Sequence, residues 1–163
     1  MAAHAYWRVY ATANGGGAYI QLRQIQFRPT AGAANPASGG TVLYGTQLDA
    51  GVPYYAASNA FDNGSLTAVA LWSSTAGTTD WVGYHYATPI AVSEVAMMCY
   101  VNYFTGPSCA PKDFVVQYSD NGITWTAVSS FTGVTSWSTS DTTYHLFAVG
   151  AFPAYGQMLL CNI

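Results

Sequence analysis

The stretch Ala110-Pro111-Lys112-Asp113-Phe114-Val115-Val116-Gln117-Tyr118-Ser119-Asp120-Asn121-Gly122-Ile123-Thr124-Trp125 constrains this chain more than any other. Phe114, Val116 and Tyr118 alternate with Val115, Gln117 and Ser119. A period of two suits a strand in a sheet. Asp120-Asn121-Gly122 then offers residues that tolerate a left-handed backbone, so a tight reversal is expected there. Beyond it, Ile123, Trp125 and Ala127 are expected to form the inward set of a returning strand. Trp125 is large enough to anchor a sandwich core.

A hairpin of this kind points to an all-β protein, and composition agrees. Leu is scarce, while Tyr, Trp, Val, Thr and Gly dominate, a balance that favours strands and turns over helices. The 163 residues fit one domain with a sizeable core, and nothing reads as an interdomain linker. Four basic and seven acidic residues leave a net charge of −3. No basic patch exists to neutralise phosphates, which argues against nucleic-acid binding. The surface must therefore be built from Ser, Thr, Asn, Gln, Gly and Tyr. Such a surface is either covered by neighbouring subunits or resistant to charge-mediated adhesion.

Met1-Ala2-Ala3-His4-Ala5 runs straight into Tyr6-Trp7-Arg8-Val9 without the basic start and apolar run of a signal peptide. Synthesis in the cytoplasm is expected. The apolar run Val95 to Val101 is too short to span a bilayer, so no membrane insertion is expected.

Along the chain, Trp7, Val9 and Ala11 share one face of a first strand, and Asn14-Gly15-Gly16-Gly17 turns it. On the return, Ile20 and Leu22 have one parity and Ile25 and Phe27 the other. A bulge near Arg23-Gln24 would bring both pairs to one face. Residues 30–51 read as a long connection with a short strand at Thr41 to Tyr44. Tyr54 and Tyr55 are adjacent, so on an extended backbone one faces the core and the other solvent. Val82, Tyr84 and Tyr86 are expected inward, with His85 on the opposite face. Glu94, the sole glutamate, is expected in a salt bridge or bonded to a loop. Cys99 and Cys109 flank a loop containing Asn102, Tyr103 and Phe104, and either close it as a disulfide or stay thiols. Tyr144 to Val149 is a final strand, and the uncharged tail 151–163 packs either on its own domain or on a neighbour.

Three ordered motifs carry a family resemblance. Pro111-x-Asp113-Phe114-x-Val116-x-x-Ser119-x-Asn121-Gly122-x-x-Trp125 is the first. Asn59-Ala60-Phe61-Asp62-Asn63-Gly64, followed by Thr67 and Leu71-Trp72-Ser73-Ser74, is the second. Trp81-Val82-Gly83-Tyr84-His85-Tyr86-Ala87-Thr88-Pro89-Ile90 is the third. Together they cover about half the chain and resemble the discoidin, or coagulation factor 5/8 type C, domain, a galactose-binding-like jelly-roll β-sandwich. The segment 1–28 resembles a hairpin that the family usually places last, so the resemblance implies a circular permutation. It implies one sandwich over residues 1–150: a permuted hairpin at 1–28, a connection at 29–52 and a main body at 53–150, followed by the tail.

The resemblance also implies a calcium loop at Asp62 and Thr67, where carbonyl and side-chain oxygens gather round a hard cation. The family's acidic strand residue is missing here, Gln24 and Gln26 standing in its place, so weak or absent calcium dependence is expected. Asp62 as a turn former bonded to backbone amides is the other reading. Sugar-binding loops at one end of the sandwich are implied, and Asn102, Tyr103 and Phe104, then Tyr54 and Tyr55, have fitting chemistry. Phe104 as a plug for the core is the alternative. The family's sugar-site arginines have no counterpart, because Arg8, Arg23 and Arg28 all lie in the N-terminal segment.

No nucleophile elbow, phosphate loop, His-Glu-x-x-His or Cys-x-x-Cys is present, and no enzyme is expected. Two functions follow. One is a non-catalytic carbohydrate-binding module that takes a cell-surface glycan. The other is a structural capsid or tail decoration protein contacting other virion proteins. Scant charge, the permuted order and the apolar tail resemble small discoidin-like proteins of tailed bacteriophages, which implies a homo-oligomer on a virion.

Overall fold

The computed structural model of the chain describes residues 1–35, 37–48, 53–62, 71–75, 77–100, 107–138 and 143–150. Among them there is no α-helix; the described chain is all-β. The described residues form ten strands: β1 His4–Asn14, β2 Gln21–Leu22, β3 Gln24–Arg28, β4 Gly40–Tyr44, β5 Trp72–Ser73, β6 Asp80–Ile90, β7 Glu94–Met98, β8 Pro111–Ser119, β9 Thr126–Phe131 and β10 His145–Ala148. They form antiparallel sheets in the orders β4-β6-β1-β8-β9, β10-β7-β3 and β2-β5.

The alternation read from the sequence decides which side chains meet. Trp7, Val9 and Ala11 of β1, Val82, Tyr84 and Tyr86 of β6, and Phe114 and Val116 of β8 are all buried. They face Ile25 and Phe27 of β3 and Val95 and Met97 of β7 across a sandwich interior. Rings bridge the layers: Trp7 to Phe27 at 6.4 Å and Phe114 edge-on to Phe147 at 4.9 Å between centroids. Trp7 fixes its own orientation, its indole N–H being shared between the carbonyls of His4 and Ile90, each at 3.1 Å.

The N-terminal segment lies in the core as expected, but it is not a hairpin. β1 occupies the centre of the five-stranded sheet between β6 and β8, whereas β2 and β3 belong to the other sheets. The glycine run carries the chain from one layer to the other. Asn14 donates to the carbonyls of Gly17 and Tyr19, and Gly16 takes φ +112°. A side chain at Gly17 would strike the Cys109 sulfur at 2.4 Å. The expected break falls at Arg23, between β2 and β3, and leaves Ile20, Leu22, Ile25 and Phe27 all buried.

The returning strand departs from expectation. Ile123 is 83% exposed, Ala127 is exposed and Trp125 is only half-buried, so Trp125 does not anchor the core. The reversal spans six residues. Ser119 Oγ accepts the Asn121 and Gly122 amides, Asn121 Oδ1 accepts those of Ile123 and Thr124, and Gly122 takes φ +72°. A register shift follows between Val116 and Gln117. One residue of slip exchanges the faces of a strand. Val128 and Phe131 therefore pack on the core instead, and Trp125 turns outward.

β3 is buried on both faces, because loops cover the outer side of its sheet. Under them Arg28 pairs with Glu94 at 3.0 Å, and Glu94 also accepts the Gly32 amide. Glu94 thus makes both of its expected contacts. Gln26 accepts from Arg28 and donates to the Tyr144 hydroxyl.

Candidate functional site

The outer face of the five-stranded sheet is unlike the hydroxyl-rich surface that the composition implies. Alternation along β1 turns Tyr6, Arg8 and Tyr10 outward. Pairing then sets Tyr6 beside His85, Arg8 beside Gly83 and Tyr10 beside Trp81, with Gln117 on the other side of Arg8. The long turn before β9 adds Trp125. The Arg8 guanidinium carbon lies 4.0 Å from the Trp125 ring centroid, 4.9 Å from that of Trp81 and 5.5 Å from that of Tyr10. The two indoles are 6.0 Å apart, and Tyr6 stacks on His85 at 4.2 Å and 11°. All these side chains are half-buried, so one side of the cluster is sheet and the other is water.

Gly83 leaves room for this arrangement. A Cβ there would stand 2.3 Å from the Trp7 carbonyl oxygen and 2.7 Å from the Arg8 Cβ. Gln117 fixes the guanidinium by accepting its Nε–H at 2.7 Å. That bond uses one of five N–H groups; among the described residues the other four make no hydrogen bond and Arg8 has no ion pair. Burial among the rings holds the guanidinium below its usual pKa, and the neighbouring Tyr10 partly opposes this. It stays a cation at any physiological pH. Asp80, next to Trp81, is turned into the protein, where it accepts the Thr46 and Trp81 amides and the Thr46 hydroxyl. The result is an apolar, π-rich surface with a positive centre. Its rings can stack on a flat apolar face, and its free N–H groups can bind oxygen acceptors.

Of the site residues expected from sequence, the described ones lie apart from this cluster. Tyr54 and Tyr55 form a 3-10 turn, Pro53–Tyr55, and not an extended segment, so they do not divide between core and solvent. Tyr54 is 53% exposed and Tyr55 is half-buried. Asn59 pins this turn by donating to the carbonyls of Pro53 and Tyr54. Asn102, Tyr103, Phe104 and Thr67 lie outside the described residues. Asp62 is exposed, and the Gln24 side-chain amide donates to its carboxylate. No group of three potential His, Cys, Asp or Glu metal ligands occurs among the described residues. Cys99 and Cys109 are buried thiols, not a disulfide; Cys99 donates to the Ser138 carbonyl.

A cavity of about 570 Å³ opens at Met1, His4, Val92, Tyr118, Val128 and Val149, and its lining holds no carboxylate. His4 there stacks on Tyr118 at 3.5 Å and bonds Asp120 at 2.8 Å.

The outer-face cluster was within reach of sequence reasoning only in part. Tyr6, Arg8 and Tyr10 share a parity opposite to Trp7 and Val9, which marks a strand aromatic on both faces. Joining them to Trp81 and Trp125 requires the register. Comparison with known proteins identifies no relative: no protein-family model, no curated protein and no solved structure matches the chain.

Proposed function

We propose that this chain is a non-catalytic carbohydrate-binding protein, a permuted discoidin-like jelly roll, and that the outer-face cluster is its binding surface. The observation that carries this reading is the half-exposed set Trp81, Trp125, Tyr10 and Arg8 gathered over one face of the five-stranded sheet. Indoles and phenols stack on the apolar face of a pyranose, and a guanidinium hydrogen-bonds its oxygens. Strands hold Tyr10, Arg8 and Trp81 without the ordering cost of a loop, and the hydrogen-bonded turn before β9 holds Trp125. A shallow surface gives weak binding, which several copies on one virion would raise by avidity. Homo-oligomeric assembly on a bacteriophage particle belongs to the same proposal. It is supported by the scarcity of charge and the apolar segment 151–163.

A structural role on the particle is the second reading. Trp, Tyr and Arg are also the residues that dominate protein–protein interfaces, and this face would bury well against another subunit. One experiment separates the two. The intact oligomer is titrated with a broad glycan panel while indole emission is followed. Saturable changes that vanish in Trp125→Ala and Trp81→Ala, but persist in Tyr54→Ala, support the carbohydrate surface. No binding across the panel, with protection of the same indoles on assembly, establishes the structural role.

A further inference from the structure

Resting on the carbohydrate reading above, we infer that the outer-face site selects an acidic sugar, one bearing a carboxylate on its pyranose ring such as a uronic acid. The four terminal N–H groups of Arg8 carry the argument. They sit in one plane over the Trp125 and Trp81 rings, whose centroids lie 4.0 Å and 4.9 Å from the guanidinium carbon, and among the described residues no carboxylate faces them. A ligand that stacks on Trp81 and Trp125 also covers this cation. Covering a charge without compensating it costs free energy, because water is removed and nothing replaces it. A neutral sugar leaves that cost standing. A carboxylate offsets it, since its two oxygens match the spacing of a guanidinium edge and accept two charge-assisted hydrogen bonds.

The cation's other surroundings agree. The Nε–H is occupied by Gln117, so the guanidinium plane is fixed before any ligand arrives. The guanidinium is half-buried among three rings, so water solvates it incompletely, and this desolvation holds its pKa below the ordinary value. With a net charge of −3 the chain has no long-range attraction for anions. Selectivity for the acid must therefore come from this contact alone, with the rings supplying the affinity common to all pyranoses.

The test compares one sugar with its charge on and off. De-esterified oligogalacturonate and its full methyl ester share a backbone and differ at the carboxylate. Each is titrated into the intact protein by calorimetry and indole emission, with dextran sulfate as a non-carboxylate polyanion. The acid is expected to bind roughly tenfold tighter than the ester or more, the effect of a charge-assisted bidentate contact. Added salt should shrink that margin, and Arg8→Gln should abolish it with the melting curve retained. The acid–ester comparison needs no variant, so a misfolded Arg8→Gln does not rescue the idea. Equal binding of acid and ester overturns the inference and leaves the carbohydrate reading intact. Dextran sulfate binding as tightly as the acid overturns it too, because the site would then read charge alone. Failure of both sugars and of every neutral glycan overturns the carbohydrate reading itself.

Discussion

The side-chain amide of Gln24 donates to the carboxylate of Asp62. The same amide also donates to the Asn59 carbonyl at 2.9 Å, so one neutral group ties the 57–62 turn to β3. In the resembled family a divalent cation would gather oxygens here, and an acidic strand residue would help to hold it. An amide proton on Asp62 meets part of that need without metal. We expect a chelator to move the melting temperature by less than a degree or two, and calcium to add nothing. Gln24→Glu should reverse this: two carboxylates side by side destabilise the apo protein, and calcium should restore it. A large chelator effect on the unaltered protein would show that oxygens near Asp62 suffice.

A second prediction concerns Arg28 and Glu94, both buried and 3.0 Å apart. Such a pair contributes little net stability when whole, yet removing one partner strands the other charge. Glu94→Gln keeps the shape but leaves Arg28 uncompensated and weakens the bond to the Gly32 amide. The expected loss is about 3–5 kcal/mol. Denaturant unfolding should show a lower midpoint at unchanged slope. A loss below 1 kcal/mol would mean that Gln26 and the Tyr144 ring neutralise Arg28 on their own.

How much of this was readable beforehand depended on whether the relevant physics was local. Period-two alternation is local, so the inward sets of β1, β6 and β8 were legible, as was the break at Arg23. Glu94 was legible because a lone carboxylate in an apolar run must find a partner. The placement of Trp125 was not. It depends on Ser119 and Asn121 widening the turn and on a register shift, and alternation reports neither. Nor does alternation say which strands pair, and so Gly15 to Gly17 read as a hairpin turn although they carry the chain between layers. The outer-face cluster needed that same pairing information to bring Arg8 to Trp81, far along the chain.

Acid should weaken the fold partly through His145. Its Nε2 accepts the Ser138 amide at 2.6 Å, a bond that only the unprotonated nitrogen can make, and burial holds its pKa below the ordinary value. The folded state therefore binds this proton less readily than the unfolded chain. The contribution is fully present above the unfolded pKa of about 6.5 and is lost as pH falls through the lower folded value. Melting temperature is expected to be flat near pH 7–8 and to decline below about pH 6.5. His145→Gln, which retains an acceptor, should make the decline shallower. An identical pH profile in the variant would assign the acid limb to the carboxylates instead.

The final prediction tests whether the N-terminal strand is integral to the domain. β1 hydrogen-bonds to β6 on one side and β8 on the other, so its removal cuts the five-stranded sheet into β4-β6 and β8-β9. Both new edges would expose unpaired backbone groups and the apolar faces of Val82, Tyr84, Phe114 and Val116, a template for aggregation. Deleting residues 1–28 also removes Ile25 and Phe27 from the facing layer. We expect insoluble protein from this truncation. A graded version keeps the result interpretable: Trp7→Ala in the full chain removes a fully buried indole and the N–H that it shares between the carbonyls of His4 and Ile90. It should cost about 3–5 kcal/mol, with cooperative unfolding preserved. A truncated chain that stays monomeric and melts cooperatively would show that residues 29–150 form a domain alone. The N-terminal strand would then be an appendage, and the permuted arrangement would be lost with it.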